Sequence, residues 1–176
     1  MSLIDKYLSK YDFNEVHSKI ITGSPEECYQ ATLGVDLAKS KIIALLFRLR
    51  GMPFSKTKFQ DFTQEVKFTH LEERPPNEFL YGFWANSEIQ WIENKEAFIN
   101  GAKGYRMQSA WNFKFEDLGN NKCRVSTETR VKCHKKKTKI TFSIYWFFIK
   151  PFSGLIRKEM LRIIEKEVKS NQVIHH

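Results

Sequence analysis

Two long stretches of alternating residues, joined by a short polar turn, limit the folds open to this chain of 176 residues. In Tyr105–Phe115 the odd positions are mostly large and apolar and the even positions are mostly polar. Lys122–Cys133 repeats the alternation, with Val, Thr and Cys opposite Lys, Arg and Glu. Because successive side chains of a strand point to opposite faces, each stretch predicts a half-buried β-strand. With the turn Leu118–Asn121 between them, they predict an antiparallel sheet whose apolar face another layer must cover.

The chain before this sheet predicts one strand and two short helices. Asn14–Ile21 alternates and is typical of a half-buried strand. Ser24-Pro25-Glu26-Glu27 is typical of a helix start, because Ser caps, Pro fits the first turn and carboxylates face the helix dipole. A second, amphipathic helix is expected over Leu37–Arg50, with Asp36 as its cap. Residues 1–13 are interpreted as a lead-in and residues 14–170 as one domain.

The remaining segments are a hairpin, a crossover and a C-terminal helix. Val66–Arg74 and Glu78–Ala85 flank a Pro-Pro-Asn turn and predict the hairpin, and residues 86–103 predict a loop or short helix crossing the sheet. From Leu155 onward, apolar residues recur at helical spacing. Lys139–Ile149 is rich in β-branched and aromatic residues and fits a strand as well as a helix, and Pro151 interrupts the pattern after it.

This order of elements resembles the helix-grip fold of the START/Bet v 1-like superfamily, which includes polyketide cyclases and lipid-transfer proteins. The resemblance implies an α+β fold, with a curved antiparallel β-sheet wrapped around a long C-terminal helix and two short helices after the first strand. It favours a bent helix over a strand before Pro151. The matching stretches span about residues 14–168 and resemble a bacterial branch of the superfamily: Gly23–Glu26, Asp36, Leu46–Gly51, Glu72–Pro76, Gly82–Trp84, Trp111–Phe113, Ser126–Val131, Tyr145–Trp146 and Pro151–Arg157.

The resemblance also implies a cavity between the sheet and the terminal helix that takes sterols, lipids, polyketides or similar apolar ligands. It supplies no catalytic residues, because the superfamily shares a shape and not a mechanism. The candidate wall of the cavity consists of Phe68, His70, Tyr81, Met107, Ser109, Trp111, Thr127, Thr129, Phe142, Tyr145 and Ile149. Aromatic residues make up 14% of the chain, and they suit either a cavity wall or a thick filled core.

The polar members of this set have two interpretations each. The hydroxyls of Ser109, Thr127 and Thr129 can orient a ligand or satisfy local partners. His70 fits a polar pocket group, a general base or a structural histidine. Proton donation in a cyclase-type reaction and simple packing are both open for three tyrosines, Tyr81, Tyr105 and Tyr145. The face opposite Thr127 carries Glu128 among basic residues, which predicts a surface ion pair.

Three functions follow as hypotheses. The first is a carrier, sensor or transfer protein that binds an apolar molecule, with Leu37–Arg50 and residues 86–103 opening the cavity. The second is a cofactor-free polyketide cyclase or dehydratase, and the third is an interaction module with a filled core. Phosphate-binding loops, GxSxG, HExxH and zinc spacings do not occur in the sequence. We therefore expect no cofactor and no metal.

The formal net charge of +9 favours contact with anionic partners. Arg130–Lys139 places six Lys or Arg residues in ten positions, which fits either a charged turn or contact with phosphate headgroups. The segment lacks the interleaved aromatic residues on which proteins stack the bases of single-stranded nucleic acids, so specific nucleic-acid binding is not expected. A weak contact with an anionic membrane stays open, both here and for the Leu37–Arg50 helix.

Cysteine content and hydropathy give an expectation about location. Cys28, Cys123 and Cys133 cannot all pair with one another, so we expect reduced thiols. The N-terminus is interrupted by charges, and the longest apolar runs are too short for the ~30 Å of a bilayer core. The expectation is a cytoplasmic protein.

Overall fold

A six-stranded antiparallel sheet forms the centre of the structure, a computed structural model that describes residues 1–49, 51, 55–86, 88–101 and 104–174. The strands lie in the order β1-β6-β5-β3-β2, and β4 pairs with the end of β3. Their bounds are Phe13–Thr22 (β1), Thr69–Arg74 (β2), Glu78–Ala85 (β3), Ile89–Gln90 (β4), Met107–Asp117 (β5) and Lys122–Cys133 (β6). The predicted hairpin of two long alternating strands is confirmed as β5 and β6, which pair from Met107 opposite Cys133 to Asp117 opposite Cys123.

A single helix, α6, runs from Lys136 to Ile174 over the inner face of this sheet. Its 39 residues correspond to a length of about 58 Å. The helix continues through Pro151, so neither the strand considered for Lys139–Ile149 nor an interruption at Pro151 occurs. Tertiary packing compensates for the hydrogen bond that Pro151 cannot donate, because the C-terminal half of α6 buries Ile156, Met160, Ile164 and other apolar residues against the sheet. The architecture is a helix-grip-like α+β fold with a curled half-barrel sheet.

The short helices after β1 begin at the predicted caps. Helix α2, Pro25–Leu33, has a complete capping box, in which Glu27 N–H donates to Ser24 Oγ (3.1 Å) and Ser24 N–H donates to the Glu27 carboxylate (2.7 Å). The helix predicted over Leu37–Arg50 is split into a 3₁₀ turn, Leu37–Lys39, and α3, Lys41–Leu49, and Arg50 lies outside the described residues.

The predicted strand Val66–Arg74 starts later than expected. Its first residues follow a helix that the sequence did not indicate, α4, Phe59–Glu65, and β2 begins only at Thr69. Lys67 between them has a φ of 60°, outside the strand region. The side-chain parity deduced from Val66 and Phe68 nevertheless holds at His70, which lies opposite the inward-facing Tyr81 with ring centroids 5.3 Å apart.

A second apolar layer covers the outer face of the sheet, away from α6. It consists of α1, Leu3–Tyr7, and α5, Lys95–Ile99, so the N-terminal segment is an ordered part of the fold and not only a lead-in. The packed side chains are Leu3, Ile4, Tyr7, Leu8, Leu71, Leu80, Trp84, Ile92, Phe98 and Ala110. Gly82 permits this layer, because a Cβ there would lie 2.6 Å from Leu71 Cδ1 and 3.1 Å from Phe98 Cε2.

Two buried polar side chains hold the ends of α1. The Glu78 carboxylate accepts hydrogen bonds from Leu3 N–H (2.8 Å) and Asn112 Nδ2 (2.7 Å) at the helix start. Arg130 donates to Leu8 O (3.1 Å) at the helix end, and it pairs with Glu128 (2.7 Å) and Asp5 (2.8 Å). The predicted Glu128 ion pair is thus present, but α1 covers part of it.

The close approach of α6 to β1 generates a first prediction. A Cβ on Gly154 would lie 2.7 Å from Glu15 Oε1 and 3.2 Å from His17 Nε2. We expect Gly154→Ala to destabilise the fold by about 1–3 kcal/mol, because the added methyl group must either displace the buried Glu15 carboxylate and its partner His17 or move the helix away from the strand. Urea denaturation measures this. Gly34→Ala is the control, since its Cβ would meet only Gln30 O at 3.5 Å, and equal effects of the two changes would contradict the expectation.

Asp12 generates a second prediction, because it joins the start of α6 to the sheet. Its carboxylate contacts Lys139 Nζ (2.6 Å) and accepts from Cys133 N–H (2.8 Å). Burial alone would raise the pKa of Asp12, but Lys139 and the Cys133 N–H outweigh burial and lower it below 3.8. A carboxylate with a lowered pKa stabilises the fold at neutral pH, and this stabilisation disappears as the pH falls through about 4 toward the lowered value.

Asp12→Asn should therefore lower the melting temperature near neutral pH, and the difference from the wild type should narrow in acid. Thermal unfolding followed by circular dichroism at several pH values measures both effects. The exposed Asp61 provides the control, Asp61→Asn. A pH-independent difference for Asp12→Asn would show that the ion pair with Lys139 contributes nothing.

Candidate ligand-binding cavity

Aromatic side chains fill one end of the space between the sheet and α6. Phe59 lies at the centre of this cluster, with ring centroids of Phe79, Tyr81, Trp111 and Phe113 at 5.6–5.9 Å. Tyr29 from α2 and Phe115 from β5 extend the cluster. This end of the molecule is a close-packed core.

The other end, under the N-terminal half of α6, contains a cavity of about 610 Å³. That volume lies within the usual range for small-molecule sites. Apolar side chains from the sheet, from α3, α4 and α6 and from the segments between them dominate the wall. The lining comprises Phe47, Phe62, Phe68, Phe83, Ala85, Asn86, Glu88, Ile89, Met107, Ser109, Trp111, Thr129, Val131, Phe142, Tyr145, Trp146, Ile149, Ser153, Ile156, Arg157 and Met160.

Arg157 brings a positive charge to this mostly apolar wall. Its guanidinium carbon lies 5.7 Å from the centroid of the Trp111 ring, a cation–π arrangement. Nη2 donates to Thr129 Oγ1 (2.5 Å), and Nη1 donates to Ser153 Oγ (2.5 Å). These contacts hold the guanidinium plane in one orientation at the inner face of the sheet. The predicted site residues did not include Arg157.

The three hydroxyls predicted on the inner face have different partners. Ser109 Oγ donates to Arg130 O (3.0 Å). Thr127 Oγ1 accepts from Trp111 Nε1 (2.7 Å) and donates to Asn112 O (2.9 Å). Local partners therefore satisfy Ser109 and Thr127, whereas Thr129 joins the Arg157 guanidinium.

Eight of the eleven predicted wall residues line the cavity: Phe68, Met107, Ser109, Trp111, Thr129, Phe142, Tyr145 and Ile149. Thr127 is not a lining residue, and its hydroxyl accepts the hydrogen bond from the Trp111 indole. Tyr81 belongs to the aromatic cluster around Phe59, and burial raises its pKa. His70 is half exposed, with Nε2 3.5 Å from Glu73 Oε2. Neither His70 nor Tyr81 is among the lining residues.

The cavity opens at a rim of more exposed residues. Asn86 and Glu88 at the β3–β4 turn and Tyr145 on α6 are exposed there, while Phe47 contributes a buried side chain from α3. The two segments predicted to control opening thus both reach the lining. The α5 part of the crossover packs on the outer face of the sheet instead.

A second concave surface, an open groove of about 880 Å³, follows the seam between α6 and the edge strand β1. Buried Glu15 lines it and contacts His17 Nε2 at 2.8 Å. In the β1–β6 register Glu15 lies opposite Thr129, the partner of Arg157. A carboxylate and a guanidinium thus flank Thr129 from neighbouring elements.

Cys28, Cys123 and Cys133 are not among the residues that line the cavity or the groove. Burial and the charge of Asp12 raise the pKa of the Cys133 thiol to about 11. The hydrogen bond with Cys123, together with burial, raises the pKa of Cys28. All three cysteines are free. Within the described ranges, no group of three His, Cys, Asp or Glu side chains is placed to hold a metal ion.

Helical spacing could have identified Arg157. Ile149, Ser153 and Arg157 lie four residues apart and share one face of α6. The residue pattern left Lys139–Ile149 open between a strand and a helix, and although the resemblance favoured a bent helix, this face was not followed across Pro151. The signal was present, but it needed a continuous helix.

Comparison with known proteins gives likeness of structure only. No family model and no curated protein matches the chain. A conserved protein from Geobacillus kaustophilus has a TM-score of 0.48 at 11% identity, covering 90% of this chain and 96% of its own. A protein from Arthrobacter aurescens has a TM-score of 0.44 at 9% identity, covering 92% and 91%.

A third likeness is to Ara h 8.0201, a Bet v 1 homologue, with a TM-score of 0.40, 9% identity and coverage of 90% and 98%. All three scores are below 0.5, so the helix-grip description rests on the sheet order and helices of this chain itself. In the described part of the chain, no helix is long and apolar enough to cross a bilayer.

Proposed function

We propose that this protein binds an apolar small molecule or lipid in the cavity between the sheet and α6, in a carrier, sensor or transfer role. The observation that supports this most is an aromatic-lined space of about 610 Å³ that contains an oriented guanidinium, Arg157. An apolar enclosure with a small number of placed polar groups is the usual form of a ligand site.

Desolvation would supply most of the affinity. Burial of about 200 Å² of ligand surface against such a wall is worth roughly 5 kcal/mol, before the costs of association are subtracted. Trp111, Trp146 and the phenylalanines around them present rigid faces, so little side-chain entropy is lost when a ligand packs against them.

Orientation would come from the guanidinium. The hydrogen bonds from Arg157 to Thr129 and Ser153 fix the orientation of its guanidinium group. A guanidinium group has five N–H donors, and it favours an oxygen acceptor such as a hydroxyl, carbonyl or carboxylate. The preferred ligand is therefore an apolar molecule with an oxygen at one end. That oxygen would lie near Trp111, and the apolar part would extend toward the rim at Tyr145 and Ile149.

Neither of the other two hypotheses gains comparable support. Of the side chains considered for a cyclase or dehydratase, Tyr81 and His70 lie outside the lining, and Tyr145 is exposed at the rim. For the filled-core hypothesis, the aromatic cluster around Phe59 accounts for one end of the space and leaves the other end open.

The direct test is native mass spectrometry of freshly purified protein, followed by solvent extraction and identification of released molecules. A defined apolar adduct carrying an oxygen is the expected result. If the purified protein is empty, titration with a fluorescent fatty acid probe follows, and failure to bind this probe or any extracted lipid would refute the proposal.

Filling the mouth of the cavity should abolish this binding. Ile149 is a partly exposed lining residue on α6, so Ile149→Trp adds volume at the rim without overpacking the core. We expect at least a tenfold weaker affinity for the fluorescent fatty acid. The matched control is Ile144→Trp on the exposed face of the same helix, which should bind like the wild type. Equal affinities for both variants would place the ligand elsewhere.

Removing the guanidinium should weaken binding of oxygen-bearing ligands selectively. A hydrogen bond to a charged group contributes about 1.5–3 kcal/mol, so Arg157→Gln should lower the affinity for 1-naphthol roughly tenfold or more. Naphthalene, which lacks the hydroxyl, should bind almost equally to both proteins. Fluorescence titration measures the two constants, Arg157→Lys tests retention of charge alone, and a parallel loss for both ligands would contradict the role given to Arg157.

A further inference from the structure

The N-terminal half of α6 exposes an apolar ridge on the side away from the cavity. The α6 ridge consists of Ile140, Ile144, Phe147, Phe148 and Leu155, and the exposed fractions of Ile144, Phe147 and Phe148 are 60%, 75% and 65%. The two phenylalanine rings contact each other at 5.3 Å. Since Phe142, Trp146 and Ile149 on the same helix line the cavity, this part of α6 is apolar on both sides.

The sheet covers only one apolar side of this helix, so a large apolar patch on the other side indicates a contact with a second apolar surface. Water covers the α6 ridge in the isolated chain, although two adjacent exposed phenylalanines carry a large free-energy cost of hydration. The Ile140, Ile144, Phe147 and Leu155 positions follow helical spacing along one line. The ridge is therefore a continuous surface and not a set of scattered apolar side chains.

The exposed charges on the segment that carries the ridge have one sign, and the nearby Glu15 carboxylate on β1 is buried. Residues 129–158 contain nine Lys or Arg and no Asp or Glu. Lys135, Lys136 and Lys137 are exposed or lie in the first turn of α6, and Lys150 and Lys158 border the ridge itself. Asp12 from outside the segment contacts Lys139. The surface thus combines apolar side chains with a positive field.

We propose that the α6 ridge docks on the surface of an anionic phospholipid bilayer. Phenylalanine and isoleucine side chains enter the boundary between headgroups and acyl chains, while long lysine side chains stay at the phosphates. A bilayer therefore satisfies both features of the surface at once. A second copy of the chain fits less well, because two ridges would bring their lysines together without acidic partners.

Docking would bring one part of the cavity rim close to the lipid, because the exposed lining residue Tyr145 is adjacent to Ile144 of the ridge. A lipid or other apolar ligand would then enter the cavity from the bilayer without crossing water. This entry route rests on the proposed function, whereas docking itself does not.

Vesicle sedimentation tests the docking. The wild type should bind vesicles of phosphatidylcholine with phosphatidylglycerol, bind phosphatidylcholine alone weakly, and lose binding as salt is raised. Phe147→Ser with Phe148→Ser should weaken binding on the order of tenfold. The triple change of Lys135, Lys136 and Lys137 to Gln should weaken it by a similar factor or more.

Two matched control variants remove the same number of apolar or basic side chains from surfaces outside the ridge and the adjoining basic segment. Val16→Thr with Ile20→Thr removes exposed apolar groups from β1, and the triple change of Lys114, Lys122 and Lys166 to Gln removes three exposed lysines elsewhere. Both should bind vesicles like the wild type. Circular dichroism confirms that each variant is folded.

Three results would overturn the inference: no binding of the wild type to anionic vesicles, equal binding of the ridge variant and its control, or a stable homodimer that only the phenylalanine changes dissociate. The phenylalanine variant should still bind the fluorescent fatty acid in solution, since neither residue is in the cavity lining. If the wild type binds anionic vesicles but does not bind the fluorescent fatty acid, the proposed function is contradicted and the docking inference stands.

Discussion

The passage of α6 over β1 at Gly154 is the contact on which the site depends. Because Gly154 has no Cβ, the helix approaches the side chains of Glu15 and His17 without displacing them. Beyond Gly154 toward the C-terminus, Leu161, Ile164, Val168 and other side chains are buried against the sheet. On the N-terminal side α6 packs less tightly, and the cavity lies beneath it. One helix therefore closes a solid core at one end and encloses a space at the other.

The two faces of the N-terminal half of α6 then acquire different roles. The face toward the sheet carries Phe142, Trp146 and Ile149 into the cavity wall, and the opposite face forms the α6 ridge. Asp12 anchors the start of this half through Lys139. Because the helix is continuous through Pro151, a displacement at the ridge would be transmitted to the cavity rim, and the proposed membrane contact would thereby be linked to the proposed ligand entry.

Much of the inner wall was predictable, because strand alternation assigns a face without any knowledge of the partner strand. Alternation assigned Met107, Ser109, Trp111 and Thr129 to the inner face, and all four line the cavity. His70 also follows the alternation and lies opposite Tyr81, but β2 is the edge strand, so the ring is half exposed and outside the cavity lining. Alternation alone does not tell which strand lies at the edge of the sheet.

Local patterns were sufficient to predict two elements: the β5–β6 hairpin from its alternation, and α2 from its capping box. Other features depend on packing between distant parts of the chain. The helical state of Lys139–Ile149, the docking of α1 on the outer face and the direction of Arg157 all depend on residues far away in the chain. Burial against distant partners outweighs weak local propensity, and no local pattern encodes which partner will be there.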